Sequence, residues 1–209
     1  LFVPSLPAAT SDPDQSLTVS TYNVQLLLGN RNGENIEKRW DTIEALDADI
    51  IGVQEVKENP YLDVDNPYPY SFFTGTIGLM SRYPIDISAI ETLGTRFGPD
   101  EASLMRAEIN VNGQKIAVYS GHLVRPQMRL RPLSFSSELR ANTVSLLTKR
   151  LEEETLPYLL LCDCNMTSDT DDYHKIADYM QDAWWERGFG FGFTAPADPD
   201  DMPFPVIRS

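Results

Sequence analysis

The chain has 209 residues, of which 42% are hydrophobic, and its 9 Phe, 9 Tyr and 3 Trp supply enough apolar material for one well-buried core. Its 17 basic and 31 acidic residues give a net charge of −14, so the average surface repels a polyanion. This charge argues against tight, non-specific binding to duplex DNA, although a bound cation can still hold one phosphate on an acidic protein.

The first 16 residues are predicted to be a linker or juxtamembrane spacer, and residues 17–209 a single domain. The start is rich in proline and small polar residues and begins with Leu1 instead of Met, so we interpret the chain as a piece of a longer protein. The sequence has no run of about 18 apolar residues that could cross a bilayer. A membrane anchor upstream of Leu1 and an extracytoplasmic domain are expectations that rest on the spacer alone, and no protein partner is predicted.

Strand-like and helix-like patterns alternate after the spacer, which favours a layered α/β (α+β) domain. Apolar residues at helical spacing predict one amphipathic helix over about residues 34–47 and a second that begins at Ser136 or Ser137. The Asn112-Gly113 pair predicts a tight hairpin turn. Strands are predicted over residues 17–24, 48–56, 70–74, 78–81, 85–93, 103–111, 115–123 and 158–164.

Four of the predicted strands lead by steps of two from apolar residues to a polar residue at the strand end. Side chains two residues apart in a strand share a face, so each polar residue continues an apolar face of its strand. If the strand ends lie at one edge of the sheets, they form an oxygen-rich pocket suited to a hard cation such as Mg²⁺ or Mn²⁺. These polar residues are Asn23, Glu55, His122, Asp163 and, two positions further, Asn165.

The segments around these residues resemble the motifs of the endonuclease/exonuclease/phosphatase family, in the family's order. They resemble its opening Asn motif, its Asp-Ile-x-x-x-Gln-Glu motif, its Thr-His-Leu motif and its Gly-Asp-Phe-Asn motif. The resemblance implies a four-layer α/β sandwich, in which two mixed β-sheets pack face to face with helices on the outside. The matching segments are Thr21-Tyr22-Asn23-Val24, Ala48-Asp49-Ile50-Ile51-Gly52-Val53-Gln54-Glu55-Val56, Gly121-His122-Leu123 and Cys162-Asp163-Cys164-Asn165.

The same resemblance implies a role for each residue. Glu55 would be the principal metal ligand, and Asn23 would contact the metal or the phosphate. His122 would stabilise the phosphoryl oxygens of the transition state, while Asp163 and Asn165 would orient the attacking water and hold the scissile phosphate. The implied function is hydrolysis of a phosphoester, as a phosphodiesterase, nuclease or phosphatase, by in-line attack of water with Mg²⁺ or Mn²⁺ as Lewis acid. The alternative is a non-catalytic binding or scaffold module that kept the fold.

The end of the chain departs from the family pattern. Family members carry a late Arg-x-Asp strand and a final Ser-Asp-His motif, which supply an acidic residue and a histidine. The segment Phe204 to Ser209 resembles the lead-in to the Arg-x-Asp strand. The domain is therefore expected to be C-terminally incomplete and to lack the late catalytic Asp and His.

Milder departures flank the motif residues, since Gly121, Cys162 and Cys164 replace the usual Thr, Gly and Phe. The two cysteines lie on one face of a strand, where a disulfide is geometrically poor, and no further pair completes a zinc site. We therefore expect two buried thiols. The arginines after His122 leave two interpretations open: a basic rim for a phosphate substrate, or solvated loop and helix charges. These arginines are Arg125, Arg129, Arg131 and Arg140.

Overall fold

The computed structural model describes residues 2–3, 16–24, 35–56, 67–93, 103–125, 127–130, 133–136 and 138–187. Most of the predicted spacer, Arg131 and the segment from residue 188 to the end lie outside the described residues, as does the side chain of Arg129. Within the described part of the chain, no helix is long and apolar enough to cross a bilayer.

Short strands and four helices make up the described fold. The helices are α1 (Asn35–Ala45), α2 (Glu138–Glu152), α3 (Asp171–Ala177) and α4 (Ala183–Arg187). The strands are β1 (Phe2–Val3), β2 (Val19–Asn23), β3 (Ile50–Gln54), β4 (Tyr70–Thr74), β5 (Ile77–Ser81), β6 (Ile85–Thr92), β7 (Ser103–Val111), β8 (Gln114–His122), β9 (Gln127–Leu130), β10 (Leu133–Ser136), β11 (Tyr158–Asp163) and β12 (Gln181–Asp182).

The strands form two large mixed sheets and one small hairpin. A four-stranded sheet has the order β2-β3-β5-β4, and a six-stranded sheet has the order β12-β1-β11-β8-β7-β6. Each large sheet contains one parallel pair, β2 with β3 and β8 with β11, among antiparallel neighbours. Strands β9 and β10 pair only with each other among the described residues. Phe2, within the predicted spacer, pairs with Leu160 and Asp182 and so belongs to the six-stranded sheet.

Three apolar clusters define the layers. The central cluster joins residues of both sheets, such as Ile50 and Leu79 of the four-stranded sheet and Met105 and Val118 of the six-stranded sheet. Helix α1 covers the outer face of the four-stranded sheet, where Ile43 is fully buried. Helices α2 and α3 cover the outer face of the six-stranded sheet. The predicted four-layer α/β sandwich, with helices outside two mixed sheets, is therefore confirmed.

The two sheets approach each other closely at Gly52 of β3. A Cβ atom at this position would lie 2.6 Å from the Cβ of Leu161 in β11, far inside the normal contact distance. A glycine is required because any side chain here would push the sheets apart.

Each predicted strand and both predicted helices are present, with ends that differ by a few residues. The predicted hairpin turn is also present, since Asn112 and Gly113 both have positive φ, at 52° and 93°. This combination matches the right-handed twist of the flanking strands, which is why Asn-Gly pairs favour such turns.

Candidate active site

The ends of the two parallel strand pairs meet at one edge of the sandwich. Parallel strands end at the same edge, and in the six-stranded sheet His122 and Asp163 are register partners at the ends of β8 and β11. Asn23 ends β2 in the opposite sheet, and its Nδ2 donates to Asp163 Oδ2 over 2.8 Å and to Glu55 Oε1 over 3.0 Å. One amide thus joins carboxylates from both sheets.

Glu55 reaches this cluster because the backbone turns sharply after β3. Ile51 and Val53 pack beneath α1, so continued strand geometry would direct the Glu55 side chain away from the gap between the sheets. Glu55 instead has φ of 56°, in the left-handed region, and its carboxylate lies beside Asn23 and Arg125. The side chain is only 5% exposed. Its buried Oε2 has no hydrogen-bond partner among the described residues.

His122 completes the group from the six-stranded sheet. Its Nε2 lies 3.7 Å from Glu55 Oε1 and 3.9 Å from Asp163 Oδ2. Burial lowers the pKa of His122, and this effect together with the nearby Arg125 outweighs the two carboxylates, which raise it. The imidazole is therefore neutral near pH 7, with one nitrogen as donor and the other as acceptor.

Asn165 supports the cluster from the loop after β11. Its backbone N–H donates to Asp163 Oδ1 over 3.2 Å, while its side-chain Nδ2 donates to the carbonyl of Leu123 over 2.7 Å. Its φ of 47° is left-handed, a conformation that asparagine tolerates better than most residues. The side chain is thus tied to the scaffold.

Two of the arginines after His122 have distinct surroundings. Arg125 Nη2 donates to Glu55 Oε1 over 3.0 Å, yet 58% of its side chain is exposed, so it is a cation at the mouth of the site. Arg140 is buried, donates to the carbonyl of Asn165 over 2.6 Å and pairs with the buried Asp172 over 3.0 Å. For Arg140 both earlier interpretations, basic rim and solvated charge, are wrong. No signal in the sequence pointed to Asp172 as its partner.

The prediction of two buried thiols is also wrong, because Cys162 and Cys164 form a disulfide. The bond spans one residue, Asp163, whose side chain points to the other face of the strand. The Cα atoms of the two cysteines are 5.2 Å apart, within the usual range for disulfides. The prediction assumed regular strand geometry for both cysteines. Cys164, however, follows Asp163, the last residue of β11, and so lies outside the strand.

The donor atoms fit a hard divalent cation that keeps part of its water shell. Among the described residues, no three side chains of His, Cys, Asp or Glu converge closely enough to hold a metal by themselves. Mg²⁺, however, usually takes one or two carboxylates and completes its shell with water and substrate oxygens. The buried Oε2 of Glu55 is suited to such a cation, since an unsatisfied carboxylate oxygen is costly to bury.

The sequence model of the Endonuclease/Exonuclease/phosphatase family matches residues 20–204. The chain belongs to this family. Members of the endonuclease/exonuclease/phosphatase family hydrolyse phosphoester bonds and typically depend on a divalent metal. No curated protein sequence matches the chain significantly.

Several solved structures share the fold of this chain. Sphingomyelinase C from Streptomyces griseocarneus has a TM-score of 0.60 at 19% identity, with 78% of this chain and 69% of that chain covered. D. rerio TDP2, complexed with a single-strand DNA product, has a TM-score of 0.56 at 16% identity, with 78% and 64% covered. An endonuclease/exonuclease/phosphatase family protein from Bacteroides thetaiotaomicron has a TM-score of 0.57 at 17% identity, with 78% and 68% covered. At these identities the likeness shows a shared fold.

Proposed function

We propose that this protein is a phosphodiesterase that uses Mg²⁺ or Mn²⁺ and attacks the phosphate in line with water. The observation that carries the proposal is the hydrogen bonding of Asn23 to Glu55 and Asp163, carboxylates of opposite sheets, beside the buried Oε2 of Glu55. Membership in a family of metal-dependent phosphoesterases supports it. The alternative is a binding module of the same fold that holds a phosphoester without hydrolysing it.

Glu55 and Asn23 would hold the cation at the end of β2 and β3. When bound, the cation supplies a Lewis acid that neutralises charge on the phosphate oxygens. Glu55 is fixed for this role by burial and by the hydrogen bonds that its Oε1 receives from Asn23 and Arg125. Arg125, exposed at the mouth, is placed to contact an incoming phosphate.

His122 and Asp163 would act on the opposite side of the pocket. The neutral imidazole of His122 can donate its N–H to a phosphoryl oxygen as negative charge develops there. Asp163 can orient the attacking water and accept its proton. Asn165 would hold Asp163 through its backbone N–H, and direct contact of its amide with the phosphate requires the side chain to leave the carbonyl of Leu123.

The substrate class is proposed from charge and from the family. A net charge of −14 disfavours duplex DNA, whose binding requires many phosphate contacts. Sphingomyelinase C and TDP2 bound to single-strand DNA have the same fold, and both names point to phosphodiesters outside a duplex. We therefore propose that the substrate is a small phosphodiester, such as a phospholipid head group, or a single-stranded oligonucleotide.

The test compares metal binding and hydrolysis in the full-length gene product. Calorimetric titration with Mn²⁺ measures binding, and release of nitrophenol from bis(p-nitrophenyl) phosphate measures diester hydrolysis. Glu55→Gln is expected to abolish saturable Mn²⁺ binding and to lower kcat by roughly 100-fold or more. The matched control is Glu152→Gln, which removes an exposed glutamate of α2 and leaves both measurements unchanged.

Two results would separate the competing functions. Full hydrolysis by the Glu55→Gln protein would refute the proposed role of this carboxylate. Mn²⁺ binding that depends on Glu55, without hydrolysis of any phosphodiester offered, would establish the binding module instead.

A further inference from the structure

The disulfide between Cys162 and Cys164 closes a small ring that contains the whole backbone of Asp163. We propose that this disulfide positions the Asp163 carboxylate, so that its reduction lowers turnover reversibly. The proposal deepens the proposed function and rests on it for the catalytic readout. Its structural readout, described below, does not depend on activity.

The strand ladder ends at Asp163, and the hydrogen bonds that hold the chain after it involve loop residues and side chains. Asp163 is the last residue of β11, and its register pair with His122 is the last of the parallel ladder. Beyond this point Leu123 donates its N–H to the Asp163 carbonyl, and Asn165 donates its N–H to Asp163 Oδ1 and its Nδ2 to the Leu123 carbonyl. The carbonyl of Asn165 in turn accepts from Arg140. A covalent ring at this position restricts the backbone dihedral angles that aim the carboxylate at Asn23.

The sulfur atoms act from the opposite face of the sheet and do not touch the pocket. Cys164 is buried in the cluster beneath α2, whereas Leu161, on the parity of Asp163, packs between the sheets. The effect on Asp163 is therefore transmitted through the backbone. Cys162 is only partly buried, which gives a small reductant access to the bond.

Gly121 provides the space that the disulfide occupies. Gly121 is the register partner of Cys162, and a Cβ atom at Gly121 would lie 3.3 Å from Cys162 Sγ and 3.0 Å from Leu104 Cδ1. Both contacts are tighter than ordinary packing allows. The glycine and the cysteine pair, which all depart from the family motifs, therefore form one structural unit around Asp163.

Reduction by a small dithiol follows ordinary thiol–disulfide exchange. A thiolate of the reductant attacks one sulfur and forms a mixed disulfide, and its second thiol then displaces the protein sulfur. Two electrons and two protons end on Cys162 and Cys164 as thiols, and the dithiol becomes a cyclic disulfide.

The structural test measures amide hydrogen exchange in oxidised and reduced protein. The N–H groups of Leu123 and Asn165 donate to Asp163, so their exchange reports how well this residue is held. Reduction is expected to accelerate exchange at both positions about tenfold or more, while the N–H of Ala107 in the centre of β7 is unchanged. Unchanged exchange at Leu123 and Asn165 would overturn the proposal, whether or not the protein is active.

The catalytic test compares the oxidised protein, the reduced protein and a variant that cannot form the disulfide. In the oxidised protein neither cysteine should react with iodoacetamide, and after reduction both should. Reduction is expected to lower kcat for bis(p-nitrophenyl) phosphate about tenfold with little change in KM or in Mn²⁺ affinity, and reoxidation restores it. The Cys162→Ser/Cys164→Ser protein should show the reduced value with or without dithiol.

The failures of the two proposals are distinguishable. Alkylation of both cysteines without reductant, or equal kcat values in the two states, would disprove the positioning role while leaving the phosphodiesterase intact. A protein that hydrolyses nothing in either state but shows the change in exchange would refute the activity and retain the role of the disulfide.

Discussion

Glu55 combines a side chain of the candidate site with an unfavourable backbone conformation. A left-handed conformation costs a residue with a Cβ atom about 1 kcal/mol, and glycine avoids that cost. Glu55 has this conformation at φ of 56° because only the turn brings its carboxylate to Asn23. The backbone conformation of Glu55 therefore lowers the free energy of unfolding relative to that of a chain with glycine at this position.

A pair of variants isolates this backbone cost. Glu55→Ala and Glu55→Gly both remove the carboxylate, and they differ mainly in tolerance of positive φ. We expect Glu55→Gly to be more stable than Glu55→Ala by about 1 kcal/mol in urea unfolding, which reverses the usual order of these residues in a fold. A more stable alanine variant would show that the chain leaves β3 by another route.

Strand parity predicted which polar residues lie together at this edge of the sandwich, although it could not predict how they meet. Asn23, His122 and Asp163 continue the faces that pack between the sheets, and the alternation of apolar residues was enough to place them. Glu55 lies on the opposite parity and depends on its left-handed backbone, which alternation does not encode. Its partner Arg125 is 70 residues away in the chain, and such a pair depends on the folded geometry.

On the outer face of the six-stranded sheet, strands β7 and β8 share a buried ionic network. Arg106 donates to both carboxylate oxygens of Glu154, over 2.6 and 3.1 Å, and the hydroxyl of Tyr119 donates to one of them over 2.8 Å. The Glu154 side chain is 2% exposed. Burial raises the pKa of Glu154, but the hydrogen bonds from Arg106 and Tyr119 dominate and hold it at about 2.

This depressed pKa predicts an acid dependence of stability. The ordinary value is 4.5, so the contribution of Glu154 is complete above pH 4.5 and is lost as the pH falls towards 2. The loss amounts to roughly 3 kcal/mol, measured as the free energy of unfolding in urea across this range. Glu154→Gln should abolish this part of the acid dependence and destabilise the protein at pH 7 by roughly 3 to 5 kcal/mol.

The exposed neighbour Glu152 gives the matched control for this network. Glu152→Gln should retain the acid dependence of the parent protein. Parallel pH profiles for Glu154→Gln and the parent would show that another group controls stability in acid.

Periodicity found the long elements, whereas several of the shortest elements were not predicted. Helix α2 and the hairpin of β7 and β8 have enough residues for an apolar repeat and a turn signal to be recognised. Helix α3 has 7 residues and β12 has 2, which are too few to show a repeat of apolar residues. The start of α3 is fixed by a capping hydrogen bond in which the N–H of Tyr173 donates to the side chain of Thr170. The disulfide of Cys162 was missed because sequence parity describes a regular strand and the bond forms where the strand ends.

Across the whole molecule, the spacing of the two sheets is limited by Gly52. Gly52→Ala would place a methyl group 2.6 Å from the Cβ of Leu161, so either the sheets separate or the strands shift. We expect a loss of roughly 1 to 3 kcal/mol in the free energy of unfolding, measured with urea. An unchanged unfolding midpoint would mean that the sandwich deforms more easily than a close-packed interior should.

The hydrogen bond from Asn23 to Asp163 crosses from the four-stranded to the six-stranded sheet. The proposed cation ligands Asn23 and Glu55 lie at the end of the four-stranded sheet, whereas His122 and Asp163 end strands of the six-stranded sheet. The complete site therefore exists only in chains whose two sheets have docked. A phosphoester that contacts residues of both sheets would bind only after the sheets have docked, and it would add its binding free energy to the docked state alone. Bound substrate would thus lower the fraction of molecules in which the two sheets have separated.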